Sequence, residues 1–137
     1  MDKEFDIWNE VKKNTNKIDF ILSIKPREIY FSKLGYNIGS EQYGKGKDFV
    51  RPLIIIRQLT KDLFIGVPTT TSKKANNDYF HTISYRDNLN RDIISSAMIL
   101  QQRVFSKKRL LNKIGKIDIQ SFEDIKEKLK RLIDPIN

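Results

Sequence analysis

The chain has no cysteine and a single histidine, His81. The first absence removes disulfides, thiolate nucleophiles and Cys-type metal sites, and the second removes any His-rich metal cluster. No apolar run approaches the roughly 18 residues that a bilayer span requires. The opening Met1-Asp2-Lys3-Glu4 alternates acid and base and lacks the profile of a signal peptide. Repeats, low-complexity tracts and internal linkers are also missing. These absences leave the expectation of a cytoplasmic protein with no membrane segment, no metal and no cofactor. Its 137 residues suit one domain with its own core.

Acidic residues are the scarcer charge: 17 Asp and Glu stand against 26 Lys and Arg, a net +9. Residues 1–26 are balanced, five against five, and residues 27–100 carry 11 basic groups and 7 acidic ones. Residues 101–137 carry 10 and 5. The excess therefore lies in the body and tail rather than in an arm. A polyanion is the partner this implies, whether RNA, DNA or an acidic protein. A soluble basic protein with no nucleic-acid role has the same charge.

Phe5, Trp8, Val11 and Thr15 recur at helical spacing, which predicts an amphipathic helix over residues 3–16 with Trp8 as a packing anchor. Pro26 stops any helix that continues past it. Arg27 to Lys33 predicts the first core strand. Residues 34–49 then hold four of the six glycines, which predicts a long loop. Gly44-Lys45-Gly46-Lys47 would let the backbone approach a phosphate closely, with Lys45 and Lys47 adding charge. The pattern GxxxxGK[ST] is absent and no helix follows, so a nucleoside triphosphate site is disfavoured. A solvated connection is the plainer alternative for this loop.

Leu53 to Ile56 and Leu63 to Val67 are short and rich in β-branched residues, and predict two strands joined by a hairpin at Leu59-Thr60-Lys61-Asp62. Antiparallel pairing brings the open ends of a hairpin together. Arg51 entering the first strand and Thr70 leaving the second should therefore meet on one rim. A charged planar fork and a hydroxyl beside a basic loop have the makings of a phosphate site. The plainer alternatives are a surface ion pair for Arg51 and a turn-satisfying hydroxyl for Thr70.

Ser72 to Asp78 predicts a turn, and Tyr79 to Tyr85 a strand with Tyr79, His81, Ile83 and Tyr85 on one face. Ile93 to Phe105 holds one long strand or two short ones. Ser106 to Ile114 predicts a short basic helix capped by Ser106. Ser121-Phe122-Glu123-Asp124 has the form of a capping box opening a final helix, with Phe122, Ile125, Leu129, Leu132 and Ile133 as its apolar stripe. Strands followed by helices give an α+β fold: a small, strongly bent antiparallel β-sheet or barrel, with an N-terminal helix and C-terminal helices.

Four pieces, taken in order, resemble the MazF/PemK-type toxins of type II toxin–antitoxin systems. They are Arg27-Glu28-Ile29-Tyr30-Phe31; Gly39-Ser40-Glu41-Gln42 followed by Arg51-Pro52; Val67-Pro68-Thr69-Thr70-Thr71; and Leu100-Gln101-Gln102-Arg103 with Ser106 to Leu110 and Ile114-Gly115. The resemblance implies an SH3-like barrel over residues 27–137; residues 1–26, read as helical from their spacing, form an extension ahead of it. It implies a homodimeric, metal-independent endoribonuclease that cuts single-stranded RNA at short sequences and is occluded by a cognate antitoxin. Arg51 matches the family's catalytic arginine and Thr70 its catalytic threonine. Glu41 and Gln42 match the conserved loop, and Gln101 a site-lining glutamine. The loop before Arg51 is longer than usual, and Leu100 stands where an acid is usual.

The implied chemistry is attack by a ribose 2′-hydroxyl on the adjacent phosphate. One proton must leave, extra negative charge must be stabilised, and the leaving oxygen must be protonated. Arg51 suits charge stabilisation, Thr70 can donate to a phosphate oxygen, and Glu41 is the candidate base. Gln42, Lys45, Lys47, Thr71 and Gln101 are the candidate substrate-binding residues. His81 titrates near neutrality but sits among apolar residues, which favours a structural role. Two other readings stay open: a protein-binding poison of the CcdB kind acting through its C-terminal helix, and a non-catalytic RNA-binding module.

Overall fold

The computed structural model describes residues 23–34 and 50–134. The predicted helix over residues 3–16 and the glycine loop with Glu41, Gln42, Lys45 and Lys47 lie outside the described residues. Seven strands and one helix are described: β1 (Glu28–Lys33), β2 (Val50–Gln58), β3 (Leu63–Thr70), β4 (Phe80–Arg86), β5 (Asp92–Met98), β6 (Arg103–Ser106), β7 (Leu110–Lys116) and α1 (Ile119–Ile133). Two 3-10 turns, Ile99–Gln101 and Lys107–Arg109, flank β6. The strand order is β4-β5-β3-β2-β1-β7, and β6 adds to β3.

β3 decides the shape. One edge pairs antiparallel with β2, Leu53 opposite Pro68. The other edge pairs with β6 over Leu63 to Gly66 and with β5 at Thr69 and Thr70. A single strand thus joins two halves of a bent sheet. A bulge in β2 between Ile55 and Arg57 and two irregularities between β1 and β7 add curvature. The bend brings β7 against β4, where a Cβ built on Gly115 would stand 2.6 Å from the Tyr85 ring and 3.3 Å from the Arg86 carbonyl. Asn88 Nδ2 donates to the Lys113 carbonyl at 3.4 Å across the same junction.

Strand alternation sorts the apolar residues onto two buried faces. Ile29, Ile54, Val67 and Ile83 face Phe122 and Ile125 of α1. Tyr30, Leu53, Ile55, Phe64, Phe105 and Leu110 form the second face, where the Phe64 and Phe105 rings stack at 5.9 Å. Burying both faces explains why β2 reads as a continuous apolar run rather than an alternating one.

A buried carboxylate ties β1 to β7. Glu28 accepts from the Lys25 amide at 2.7 Å and from the Tyr30 hydroxyl at 3.3 Å, and pairs with Lys113 Nζ at 2.8 Å. Burial pushes the Glu28 carboxyl up, but the Lys113 hydrogen bond, the Lys25 amide and the Lys113 charge together hold it below its ordinary value. Burial, then the neighbouring Glu28, raise the Tyr30 hydroxyl to about 12.

The bent antiparallel sheet, the hairpin at residues 59–62 and the final helix agree with the sequence. Residues 106–114 do not form a helix. Ser106 does cap a turn, its Oγ accepting from the Lys108 amide at 3.2 Å, but the turn lasts three residues before β7 begins. The open edge of β1 offers β7 antiparallel partners, Leu110 opposite Ser32 and Gly115 opposite Ile29, and this tertiary pairing outweighs local helix propensity. The final helix is capped by Asp118 rather than Ser121: Asp118 Oδ2 accepts from the Ser121 amide at 3.0 Å. Within its stripe, Phe122 and Ile125 are buried and Leu129 and Leu132 pack against the core, whereas Ile133 is 87% exposed at the fraying end.

The contact at Gly115 gives a stability prediction. Gly115→Ala should destabilise the fold by about 1–3 kcal/mol, because the Tyr85 ring and the Arg86 backbone must both give way. Urea unfolding measures this, and an unchanged midpoint would show that the β4–β7 contact is not tight.

Candidate active site

Arg51 is the second residue of β2, and Thr70 is the last of β3. Continuing the Leu53–Pro68 register by two residues sets Arg51 opposite Thr70, and alternation puts both on the face that carries Leu53 and Phe64. The hairpin geometry expected from the sequence is therefore present. The strands run further than expected, so both residues belong to strand ends rather than to the loops beyond them.

Arg51 is only 4% exposed. Its Nη1 donates to the Thr69 carbonyl at 3.0 Å, which anchors the guanidinium against β3. On the opposite side, Ser32 Oγ of β1 donates to the Arg51 carbonyl at 3.0 Å, so the backbone is held as well. Burial lowers the Arg51 pKa from its ordinary value, yet a guanidinium stays charged at neutral pH. The result is a fixed cation in a site largely closed to water, where its charge acts more strongly than at the surface.

Thr70 is also buried. Its Oγ1 accepts from the Ser72 amide at 3.2 Å, which orients the hydroxyl and leaves its proton for another acceptor. Thr69 turns the other way, and its hydroxyl donates to the Pro52 carbonyl at 3.4 Å. A small cavity of about 50 Å³ opens beside this pair, lined by Val50, Arg51, Pro52, Thr69 and Thr71. Thr71, named as a substrate-binding candidate, lines it; the neighbouring Thr70 does not.

Gln101 closes the 3-10 turn between β5 and β6 and is half-buried, and that turn packs against β3. Of the eight candidate residues, the structure brings together Arg51, Thr70 and Thr71, and places Gln101 in a turn against the same strand. Glu41, Gln42, Lys45 and Lys47 lie outside the described residues.

Two contributors are not evident in the sequence. Ser32 reads as one polar position in an apolar strand, and only the β1–β2 register, Ser32 opposite Arg51, gives it a role. Arg109 donates through Nη1 to the carbonyl of Lys33, itself opposite Val50, and so adds a second guanidinium near the entrance to β2. Burial, then the Arg103 charge, lower the Arg109 pKa. The position of Arg109 after a capped turn carries no recognisable signal.

His81 is engaged elsewhere. Its Nδ1 lies 2.9 Å from Lys128 Nζ, and its Nε2 3.7 Å from Asp124 Oδ2. An ammonium only donates, so the ring accepts at Nδ1 and is neutral there. Lys128 also donates to the Phe80 carbonyl at 3.0 Å. The histidine therefore fastens α1 to β4, on the face opposite Arg51 and Thr70. Among the described residues, no group of three or more His, Asp or Glu could hold a metal ion. Among the same residues, no helix is long and apolar enough to cross a membrane.

A family model for the PemK-like, MazF-like toxins of type II toxin–antitoxin systems matches residues 25–133. The chain belongs to that family. The match runs from just before β1 to the last residue of α1, and so takes in the whole sheet, the helix and the Arg51–Thr70 pair. The chain thereby has a toxin role, on an α+β fold of the PemK/MazF kind. No curated protein matches the sequence.

The His81 contacts make stability pH-dependent in this toxin fold. Burial, then the Lys128 charge, lower its pKa below 6.5, outweighing Asp124 and Asp118. Below that value the unfolded chain binds a proton that the folded chain does not, so this contribution is complete at neutral pH and is lost as the pH falls through the lowered folded pKa. His81→Asn keeps an acceptor for Lys128 and does not titrate. It should flatten the fall in melting temperature between about pH 7 and 5; an unchanged pH profile would mean that His81 is not the group responsible.

Proposed function

We propose that this toxin is an endoribonuclease that cuts single-stranded RNA without a metal, and that Arg51 and Thr70 form the centre of its site. Family membership supports nuclease activity in general. The observation that carries the finer reading is the buried Arg51 guanidinium, fixed by the Thr69 carbonyl and opposite a hydroxyl with a proton to donate.

In this mechanism the ribose 2′-oxygen attacks the adjacent phosphorus and the bond to the 5′-oxygen breaks. The products are a 2′,3′-cyclic phosphate and a free 5′-hydroxyl. Arg51 holds the non-bridging oxygens as charge develops on them, and its immobility means that little reorganisation is needed during reaction. Thr70 donates a hydrogen bond from its hydroxyl to one of the same oxygens. Glu41 is assigned as the base that takes the 2′-proton, and the leaving 5′-oxygen takes its proton from water. Gln42, Lys45, Lys47, Thr71 and Gln101 are assigned to the flanking RNA. Unstacked bases are read by their edges, which a loop is free to approach.

The partners follow from the same reading: a single-stranded RNA, a second copy of the chain as a homodimer, and a cognate antitoxin that covers the RNA face, all in the cytoplasm. Residues 1–26 are assigned as an extension to the toxin domain. A CcdB-like protein poison has less support, because α1 buries its Phe122 and Ile125 against the sheet instead of presenting them to a target.

Arg51→Ala should reduce cleavage of a long, structure-poor RNA by at least about 100-fold in the presence of EDTA. Mapping 5′ ends on wild type and variant tests this, with a thermal melt to confirm that the variant folds. Arg51→Lys, which keeps charge but loses the fork, should recover only a small part of the rate. Equal cutting by wild type and Arg51→Ala would refute the assignment.

A further inference from the structure

The register places one more hydroxyl beside Thr70. Thr70 of β3 lies opposite Ser96 of β5, and Ser96 in turn lies opposite Thr82 of β4. With Ser32 opposite Arg51 on the other side, a polar row crosses five strands: Ser32, Arg51, Thr70, Ser96, Thr82. All five share the face that carries Leu53 and Phe64, and each is a directly opposed neighbour of the next. Directly opposed residues on one face have Cβ atoms about 4.5–5.5 Å apart, close enough for two hydroxyls to reach one anion.

The members of the row differ in what engages them. Ser32 donates to the Arg51 carbonyl, and Thr70 has accepted the Ser72 amide. Thr82 is exposed. Ser96 is 4% exposed, and among the described residues no hydrogen bond engages its hydroxyl. The oxygen itself still reaches solvent, so an anion entering the site can meet it. It stands next to a hydroxyl whose proton is still free to donate, one strand from a buried guanidinium.

We infer that Ser96 is a second hydroxyl donor to the phosphate held by Arg51, working as a pair with Thr70. This rests on the phosphate-site reading above and extends it by a residue that neither the sequence motifs nor the family match points to. Its hydroxyl donates a hydrogen bond to a non-bridging oxygen different from the one that Thr70 engages. Arg51, Thr70 and Ser96 then hold the phosphate from three adjacent strands, with no bond made or broken at Ser96.

Ser95 provides an internal control. It is equally buried but turns to the opposite face, opposite Ile83 in the helix-covered core. The experiment compares the full-length wild type, Ser96→Ala, Ser96→Thr and Ser95→Ala. Single-turnover RNA cleavage is measured with EDTA present, and inorganic phosphate binding is followed by amide chemical shifts. Ser96→Ala should slow cleavage by about five- to tenfold and weaken phosphate binding by a similar factor, as expected for one lost hydrogen bond to an anion. Ser96→Thr should restore most of both, and Ser95→Ala should change neither.

Unchanged cleavage and phosphate binding in Ser96→Ala would overturn the inference. So would equal losses in Ser96→Ala and Ser95→Ala that track their melting temperatures. If the wild type cuts no RNA while phosphate binding still weakens in Ser96→Ala alone, the ribonuclease reading fails and the anion site stands.

Discussion

A strand edge can hydrogen-bond to only one neighbour at a time, and β3 has three neighbours. It satisfies β2 along one edge and divides the other between β6 and β5. The division falls at Val67 and Pro68, which neither β6 nor β5 pairs. Proline has no N–H, so the gap leaves one donor fewer to satisfy. Beyond the gap the chain meets β5, the sheet bends, and Thr69 and Thr70 become the only β3 residues tying the β4–β5 hairpin to the remaining strands. The carbonyl that anchors Arg51 belongs to the first of these two residues.

The electrostatics of the site follow from the same packing. An arginine at the surface is screened and mobile; Arg51 is neither, because Ser32 holds its backbone and Thr69 its side chain. Burial disfavours its charge, and a guanidinium keeps that charge regardless. A lysine in the same place would shed its proton more readily and would lack the planar fork. The buried carboxylate of Glu28 is likewise held in place, by Lys113.

Residues with a local signature were legible in the sequence. The apolar runs flanking residues 59–62 required a hairpin, and a hairpin requires Arg51 and Thr70 to meet. Residues whose role depends on pairing at a distance were not legible. Leu110 and Ile114 share the spacing of a helix face, and only the open edge of β1 makes them a strand. Asp118 caps α1 just ahead of a stretch that already looked like a cap. Ser32 and Ser96 acquire their neighbours from registers that no single segment encodes. The half of the candidate site drawn from Glu41, Gln42, Lys45 and Lys47 lies in residues beyond those the structure describes.

The two-residue junction between β3 and β5 has an evolutionary consequence. The residues that would handle the phosphate are the same ones that join the two halves of the sheet. A substitution there that also disturbs the packing of the junction alters chemistry and folding cooperativity together. Variants that escape toxicity by changing this junction would then tend to lose solubility and abundance together with activity. Selection for a working toxin and selection for an intact fold act on the same few positions, so this corner should drift more slowly than the strands around it.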